Sequence, residues 1–310
     1  MRLNNEMMEI LIALLRKDSF DEKLFYQFSN LKQVKDLINH DKILNRKTSV
    51  DSLKNSLINA INGNNDDDQC YMFNDVRKNL DELEKIIQRI NNQKKILTNN
   101  IFTEIEPYAP KEPFQDCTYY FYAGGIDGGF SEKSGEIYIN IHNLLRSPDE
   151  LEGILVHEFY HARKHPFEIS DFFVFDFSED NYLKTTFNFI FEEGIATLIQ
   201  LEYRKRGEKF NNNYEYMKIL SDSIEDIYSK NEPPEKSMAN FFNNFDHMYV
   251  VGYWLAHTLY NHGGKETLNY WTLEYDYKKC LKIFIEESRK GKIKSGFSKE
   301  VEDYLLKHCC

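Results

Sequence analysis

No stretch of the 310 residues reaches the roughly 18 uncharged apolar positions that a membrane-spanning helix needs. The run from Met7 to Leu15 comes closest. Glu9 interrupts it and no small-residue cleavage site follows, so it does not read as a secretory leader. Cysteine is scarce: five residues, Cys70, Cys117, Cys280, Cys309 and Cys310, an odd number with no C-x-x-C pair. A disulfide framework and a cysteine-type zinc ribbon are therefore excluded, and reduced thiols fit best. The vicinal pair Cys309-Cys310 is expected to be exposed and open to oxidative crosslinking. Phosphate-binding loops are missing too, since neither G-x-x-x-x-G-K-[ST] nor G-x-G-x-x-G before a helix occurs. Clustered positive charge is also absent. The net charge is -11; residues 1–100 carry 16 Lys+Arg against 15 Asp+Glu, and the other 210 carry 23 against 35. That imbalance disfavours nucleic acid as a partner and allows basic or neutral peptides. A cytoplasmic protein with no membrane contact is the expectation.

What is present in the first third is helical periodicity. Apolar spacing predicts helices over 5–16, 21–28, 31–44, 50–61 and 75–97, the last with Leu80, Leu83, Ile86, Ile87 and Ile90 on one face. The Asn- and Asp-rich stretch from Asn62 to Asp68 lacks EF-hand spacing and its terminal Glu, so it reads as a solvated loop. No internal repeat is evident, and the region from Lys265 onward again reads as helical.

The motif that carries chemistry is His157-Glu158-Phe159-Tyr160-His161. Chance puts an H-E-x-x-H pentad in roughly a few per cent of chains of this composition, so its surroundings matter. Ser147-Pro148-Asp149-Glu150 reads as a capping box with proline at the first helical position. Leu151, Ile154, Leu155 and Phe159 continue at helical spacing, and His165-Pro166 ends a helix of about 17 residues. On a helix, residues four apart share a face, so two imidazoles can hold one Zn²⁺ with Glu158 beside it as a base.

A catalytic zinc needs a third protein ligand and an open position. The candidates are Glu192 and Glu193, followed by Gly194, inside an apolar helix predicted over 185–206 and closed by Gly207. Adjacent carboxylates among Phe187, Phe189, Ile190, Phe191, Ile195 and Leu198 are costly to bury unless a cation meets them. The bland alternative turns one or both to solvent, and suits Glu192 taken alone. The glycine after the pair tips the reading toward metal.

Here the chain resembles the gluzincins, zinc peptidases with H-E-x-x-H followed by a Glu on the next helix. Glu193-Gly194-Ile195-Ala196 matches the E-G-x-A form of that element. The resemblance implies that His157, His161 and Glu193 bind one zinc per chain, that Glu158 activates a water, and that Glu192 is a neighbour. The gap from His161 to Glu193 is longer than in well-known members, and the inserted Phe172-Phe173-Val174-Phe175 and Phe177 should pack. Thr197 stands where thermolysin-like enzymes place an Asp, so the ligands must be supported differently. Tyr249-Val250-Val251-Gly252 resembles the Y-x-x-G stretch whose tyrosine holds an oxyanion, a donor worth about 3 kcal/mol. Against it stands the abundance of tyrosine, 20 in all, in a chain whose aromatic helix faces are mostly core. His247 could fill the same role; His257 and His262 read as structural or exposed. The G-x-M-E-N element of aminopeptidases is absent.

Ahead of the pentad, Cys117 to Tyr122 and Glu136 to Ile141 read as strands. In zincin-like folds a sheet edge beside the active helix binds an extended peptide, and these runs suit that role. Gly124-Gly125-Ile126-Asp127-Gly128-Gly129 between them reads as a flexible hairpin connection rather than a substrate contact. The expected architecture is α+β and predominantly α-helical. An N-terminal helical region over 1–100 precedes a zincin-like catalytic domain over 101–310, with a small antiparallel sheet and C-terminal helices. The likeness covers about 117–265 and is nearest to uncharacterised bacterial zinc peptidases. The function implied is zinc-dependent peptide-bond hydrolysis with a peptide or protein as substrate. A silent zinc- or peptide-binding relative of the fold is the alternative. A di-iron helical protein would need a second E-x-x-H, which the sequence lacks.

Overall fold

Apolar spacing of three and four residues becomes helix throughout the N-terminal part of the computed structural model. It describes residues 1–44, 46–64, 70–166, 175–203, 213–291 and 293–309. The aspartates at 66–68, Phe172 to Val174, Gly207 and Cys310 lie outside the described residues. By contact the chain divides into two compact units. The first comprises Met1–Ile101 with Phe114–His165, and the second Phe102–Pro113 with Pro166–Cys310.

The helices of the N-terminal part are α1 (Glu6–Leu15), α2 (Glu22–Asn30), α3 (Lys32–Ile43), α4 (Val50–Asn62), α5 (Phe73–Lys78) and α6 (Leu80–Ile105), the last ending within the second unit. Local chemistry sets their ends. Asp21 caps α2 by accepting from Leu24 N at 3.0 Å. Ser49 and Ser52 form a reciprocal capping box on α4, which Gly63 closes at φ 69°. The helix expected over 75–97 is two, broken at Asn79, whose amide donates to Asp75 O at 2.8 Å. Arg77, at that break, donates to Leu15 O (3.0 Å), Ala60 O (2.6 Å) and Ile61 O (2.5 Å). One guanidinium thus satisfies the open carbonyl ends of both α1 and α4.

The sheet is mixed, not antiparallel, in the order β1-β2-β4-β3. Its strands are β1 (Arg2–Asn4), β2 (Thr118–Tyr122), β3 (Gly129–Lys133) and β4 (Glu136–Asn140). β1 lies parallel to β2 and β2 parallel to β4; β3 alone runs antiparallel, to β4. The glycine-rich segment is therefore no hairpin. It carries the chain from β2 past β4 to the far side, and the true hairpin turn is Ser134-Gly135, with Gly135 at φ 83°. β1 went unanticipated because three residues are too short for a period of two to register.

Alternation divides the sheet into two faces. On one, Tyr120, Tyr138 and Phe130 stack in series at 5.0 and 4.4 Å, and His40 of α3 stacks on Phe130 at 4.0 Å. Lys32 of α3 bonds Glu136 at 2.6 Å over the same face. The other face carries Tyr119, Phe121, Ile137 and Ile139, all buried. Helix α7 (Leu151–His161) packs on β3 and β4.

The second unit is helical: α8 (Tyr182–Tyr203), α9 (Asn213–Lys230), α10 (Pro234–Phe242), α11 (Phe245–Gly263), α12 (Lys265–Thr272), α13 (Tyr277–Arg289) and α14 (Lys299–Cys309). α8 and α11 form its centre and cross on two glycines. A Cβ on Gly194 would sit 2.3 Å from the carbonyl carbon and oxygen of Gly252, and one on Gly252 would sit 2.4 Å from Ile190 O. Phe175 and Phe177, from the long gap, pack as expected against Phe189 (4.7 Å) and Phe242 (5.1 Å). The whole is α+β and predominantly helical. No helix among the described residues is long and apolar enough to cross a membrane.

Candidate metal centre

α7 presents the pentad, but over 11 residues rather than 17. A 3-10 turn over Pro148–Glu150 precedes it, and the Ser147 side chain makes no capping bond. The turn's own backbone bond, Glu150 N to Ser147 O at 2.9 Å, takes the N–H that the hydroxyl would have used. At the other end the helix stops at His161, four residues ahead of His165-Pro166. There the β3–β4 turn completes it: Gly135 N donates to Ala162 O (2.9 Å) and Ser134 Oγ to Arg163 O (2.8 Å). Arg163, fully buried, lays its guanidinium 4.1 Å from the Tyr160 ring centre and donates to Tyr160 O at 2.9 Å.

His157 and His161 are both buried, one turn apart, with their Nε2 atoms 3.1 Å from each other. Two nitrogens each about 2.0–2.1 Å from a single zinc, at near-tetrahedral angles, lie about 3.1–3.4 Å apart. The pair therefore fits a shared ion without rearrangement. His165 Nε2 lies 2.9 Å from His161 O, beyond the helix end.

Glu158 is buried against the sheet. The opposing strand residue is Gly129, first in β3. A Cβ there would fall 3.0 Å from Glu158 Oε1, 3.1 Å from its carboxyl carbon and 2.7 Å from Tyr138 O. The absence of a side chain at Gly129 is what lets the Glu158 carboxylate lie on the edge strand. Burial first, with the Glu158 charge contributing, pushes the Tyr119 and Tyr122 phenols well up, so both stay protonated.

On α8, Glu192 and Glu193 are both buried, 2% and 9% exposed. The solvent-facing alternative for Glu192 is thus incorrect: Trp271 Nε1 on α12 donates to its Oε2 at 2.9 Å, an inward partner that the local sequence could not reveal. The glycines of the two motif-like elements, Gly194 after Glu193 and Gly252 three residues after Tyr249, are each other's contact at the α8–α11 crossing. Glu193, the carboxylate that the sequence adds to His157 and His161, is thus buried on α8 of the second unit, while the two imidazoles lie on α7 of the first. The donor set, two imidazoles and a carboxylate, is one that zinc accepts.

Tyr249 lies half-buried on α11. His247 is buried beside Tyr216 at 4.5 Å, its Nδ1 3.0 Å from Phe241 O, an arrangement of packing. His257 pairs with Asn261 at 3.1 Å and His262 with Glu287 at 3.2 Å, as structural histidines do. Cys117 and Cys280 are buried thiols; burial pushes Cys117 up to about 12, far from a reactive thiolate. Sequence reasoning missed Gly129 and Trp271. The doubled Gly128-Gly129 was the one available signal for the former.

The structure places a buried H-E-x-x-H helix, its two imidazole Nε2 atoms 3.1 Å apart, against a small mixed sheet. The chain belongs to the family described as "Putative zinc dependent peptidase (DUF5700)", whose model matches residues 25–283. No curated protein and no solved structure matches it.

Proposed function

We propose that this chain is a zinc-dependent peptidase of the gluzincin type. His157, His161 and Glu193 would hold one zinc, and Glu158 would act as the base. The observation that carries this reading is the pair of buried imidazoles on α7, their Nε2 atoms 3.1 Å apart, with the buried Glu158 carboxylate on the same helix. The family's description supports the broader part of the reading, a zinc-dependent peptidase.

When bound, zinc would lower the pKa of a water and polarise the scissile carbonyl. Glu158 takes the proton of the attacking water and passes it to the leaving amine, so it ends the cycle as it began. Its burial strengthens that transfer, because few solvent dipoles compete for the carboxylate. The substrate is a peptide or protein segment in extended form, laid along β3, the strand that ends the sheet order beside Glu158. Tyr249 donates to the developing oxyanion, a role assigned by resemblance of Tyr249-Val250-Val251-Gly252 to the gluzincin element.

The test is metal analysis of purified protein beside Glu158→Gln, with hydrolysis of fluorescein-labelled casein. About one zinc per chain in both, with hydrolysis in the parent alone, is the expected result. Zinc in both with no hydrolysis in either would favour the silent binding protein, and no zinc in either would overturn the assignment.

A further inference from the structure

We propose that Arg46, together with His40, is a positioning residue for Glu158, holding the start of β3 against it through the side chain of Asp127. The inference deepens the peptidase reading and rests on it. Gly129 meets the Glu158 carboxylate with no space for even a methyl group. A shift of β3's first residue by a fraction of an ångström would therefore change where the base sits.

The segment leading into Gly129 is rich in glycine and ought to be loose. Gly124 and Gly125 take φ 92° and 91°, open to glycine at little cost. Instead the loop is tied from inside the sheet. The buried amide of Asn140 donates to Gly124 O and Asp127 O, both at 3.0 Å, and Tyr122 OH donates to Asp127 O at 3.3 Å.

A second grip comes from outside the sheet, at the end of α3. The Arg46 guanidinium holds both oxygens of Asp127, Nη2 to Oδ1 at 2.9 Å and Nη1 to Oδ2. Arg46 is itself anchored on Asp41 at 2.9 Å. His40 Nε2 lies 3.2 Å from the same Asp127 Oδ2, and its ring stacks on Phe130 at 4.0 Å. α3 and its following turn thus hold the residue two before Gly129 and the residue just after it. A forked guanidinium–carboxylate pair fixes direction as well as distance. Burial pushes the Asp127 carboxyl up, but the hydrogen bonds from Arg46 and then His40 outweigh it and hold it well below the usual carboxylate range. The pair is therefore fully charged at neutral pH. In this arrangement the N-terminal helices, which contribute no proposed ligand or base, set the geometry of the base.

The test compares wild type, Arg46→Ala, Arg46→Lys and Asp127→Asn by casein hydrolysis, zinc content and amide hydrogen exchange. Arg46→Ala should lower kcat by about tenfold or more with KM within about twofold, at unchanged zinc content. Faster exchange should be confined to residues 123–131, and Arg46→Lys, which keeps the charge but not the fork, should recover part of kcat. A staple without bearing on the base would leave kcat intact in Arg46→Ala and Asp127→Asn, and that result overturns the proposal, as does a rise in KM alone. If Arg46→Ala does not fold, Arg46→Lys and Asp127→Asn carry the same comparison. The exchange measurement stands apart from catalysis. Should wild type bind no zinc or cleave no casein, the peptidase reading fails, whereas unchanged exchange over 123–131 defeats the positioning role on its own.

Discussion

Gly129→Ala adds one methyl group where three atoms already stand. The new carbon would lie 2.7 Å from Tyr138 O, 3.0 Å from Glu158 Oε1 and 3.1 Å from its carboxyl carbon. An unstrained carbon–oxygen contact needs about 3.3–3.6 Å, so the Glu158 oxygen must retreat by about 0.3–0.6 Å. The carbonyl of Tyr138 must give more, yet it belongs to the neighbouring strand and cannot move without disturbing the β3–β4 pairing. Gly129 is not in the left-handed region, so the whole effect is steric. Overpacking of this kind costs about 1–3 kcal/mol, or about 2–4 °C in Tm per kcal/mol for a domain of this size. Misplacing a base by 1 Å costs on the order of 100-fold, so a shift of half that should lower kcat about tenfold. Zinc content should not change, because neither imidazole is touched. The assay pairs thermal denaturation with casein hydrolysis, and Gly128→Ala is the control, since its Cβ would meet only Asn143 Nδ2 at 3.9 Å. Wild-type kcat and Tm in Gly129→Ala would refute the tight contact between β3 and Glu158 and its bearing on activity.

Other predictions concern the frame around the site. Gly194→Ala should destabilise by about 3 kcal/mol or more in chemical denaturation, because its Cβ meets backbone at 2.3 Å and the α8–α11 crossing must open. Arg77→Ala strips the donor from carbonyls of α1 and α4 and should cost about 2–4 kcal/mol, with zinc content unaltered. The Asp127 carboxyl has a folded pKa below its unfolded value, so its contribution is present above about pH 4 and is lost as pH falls further. Acid titration followed by circular dichroism should therefore show a shallower loss of stability below pH 4 in Asp127→Asn than in wild type. Removal of metal by a chelator should lower Tm, and saturating zinc at about 100 times Kd should restore about 2.7 kcal/mol.

The proximity of the His157 and His161 imidazoles was legible because helix geometry turns a spacing of four into a shared face, and nothing distant is needed to read it. The helices of the first hundred residues were legible for the same reason. The sheet was not. Pairing order depends on contacts between segments far apart in sequence, so the glycine run after β2 suggested a hairpin that β4 in fact displaces. The cost of burying Glu192 and Glu193 was visible in their apolar surroundings, but Trp271, the partner of Glu192, stands 79 residues away. Gly194 and Gly252 entered the reading as letters of motifs, and their physical reason is that two helix backbones touch there. Gly129 left the faintest trace, since a position defined by the lack of a side chain gives no chemical signal of what lies opposite.

The measurement that tests the central claim most directly is zinc K-edge X-ray absorption on zinc-loaded protein. Two imidazoles, with the remaining donors oxygen and all zinc–donor distances about 2.0–2.2 Å, would match a site of His157, His161 and Glu193 with an open position. Sulfur at about 2.3 Å, or fewer than two imidazoles, would contradict it.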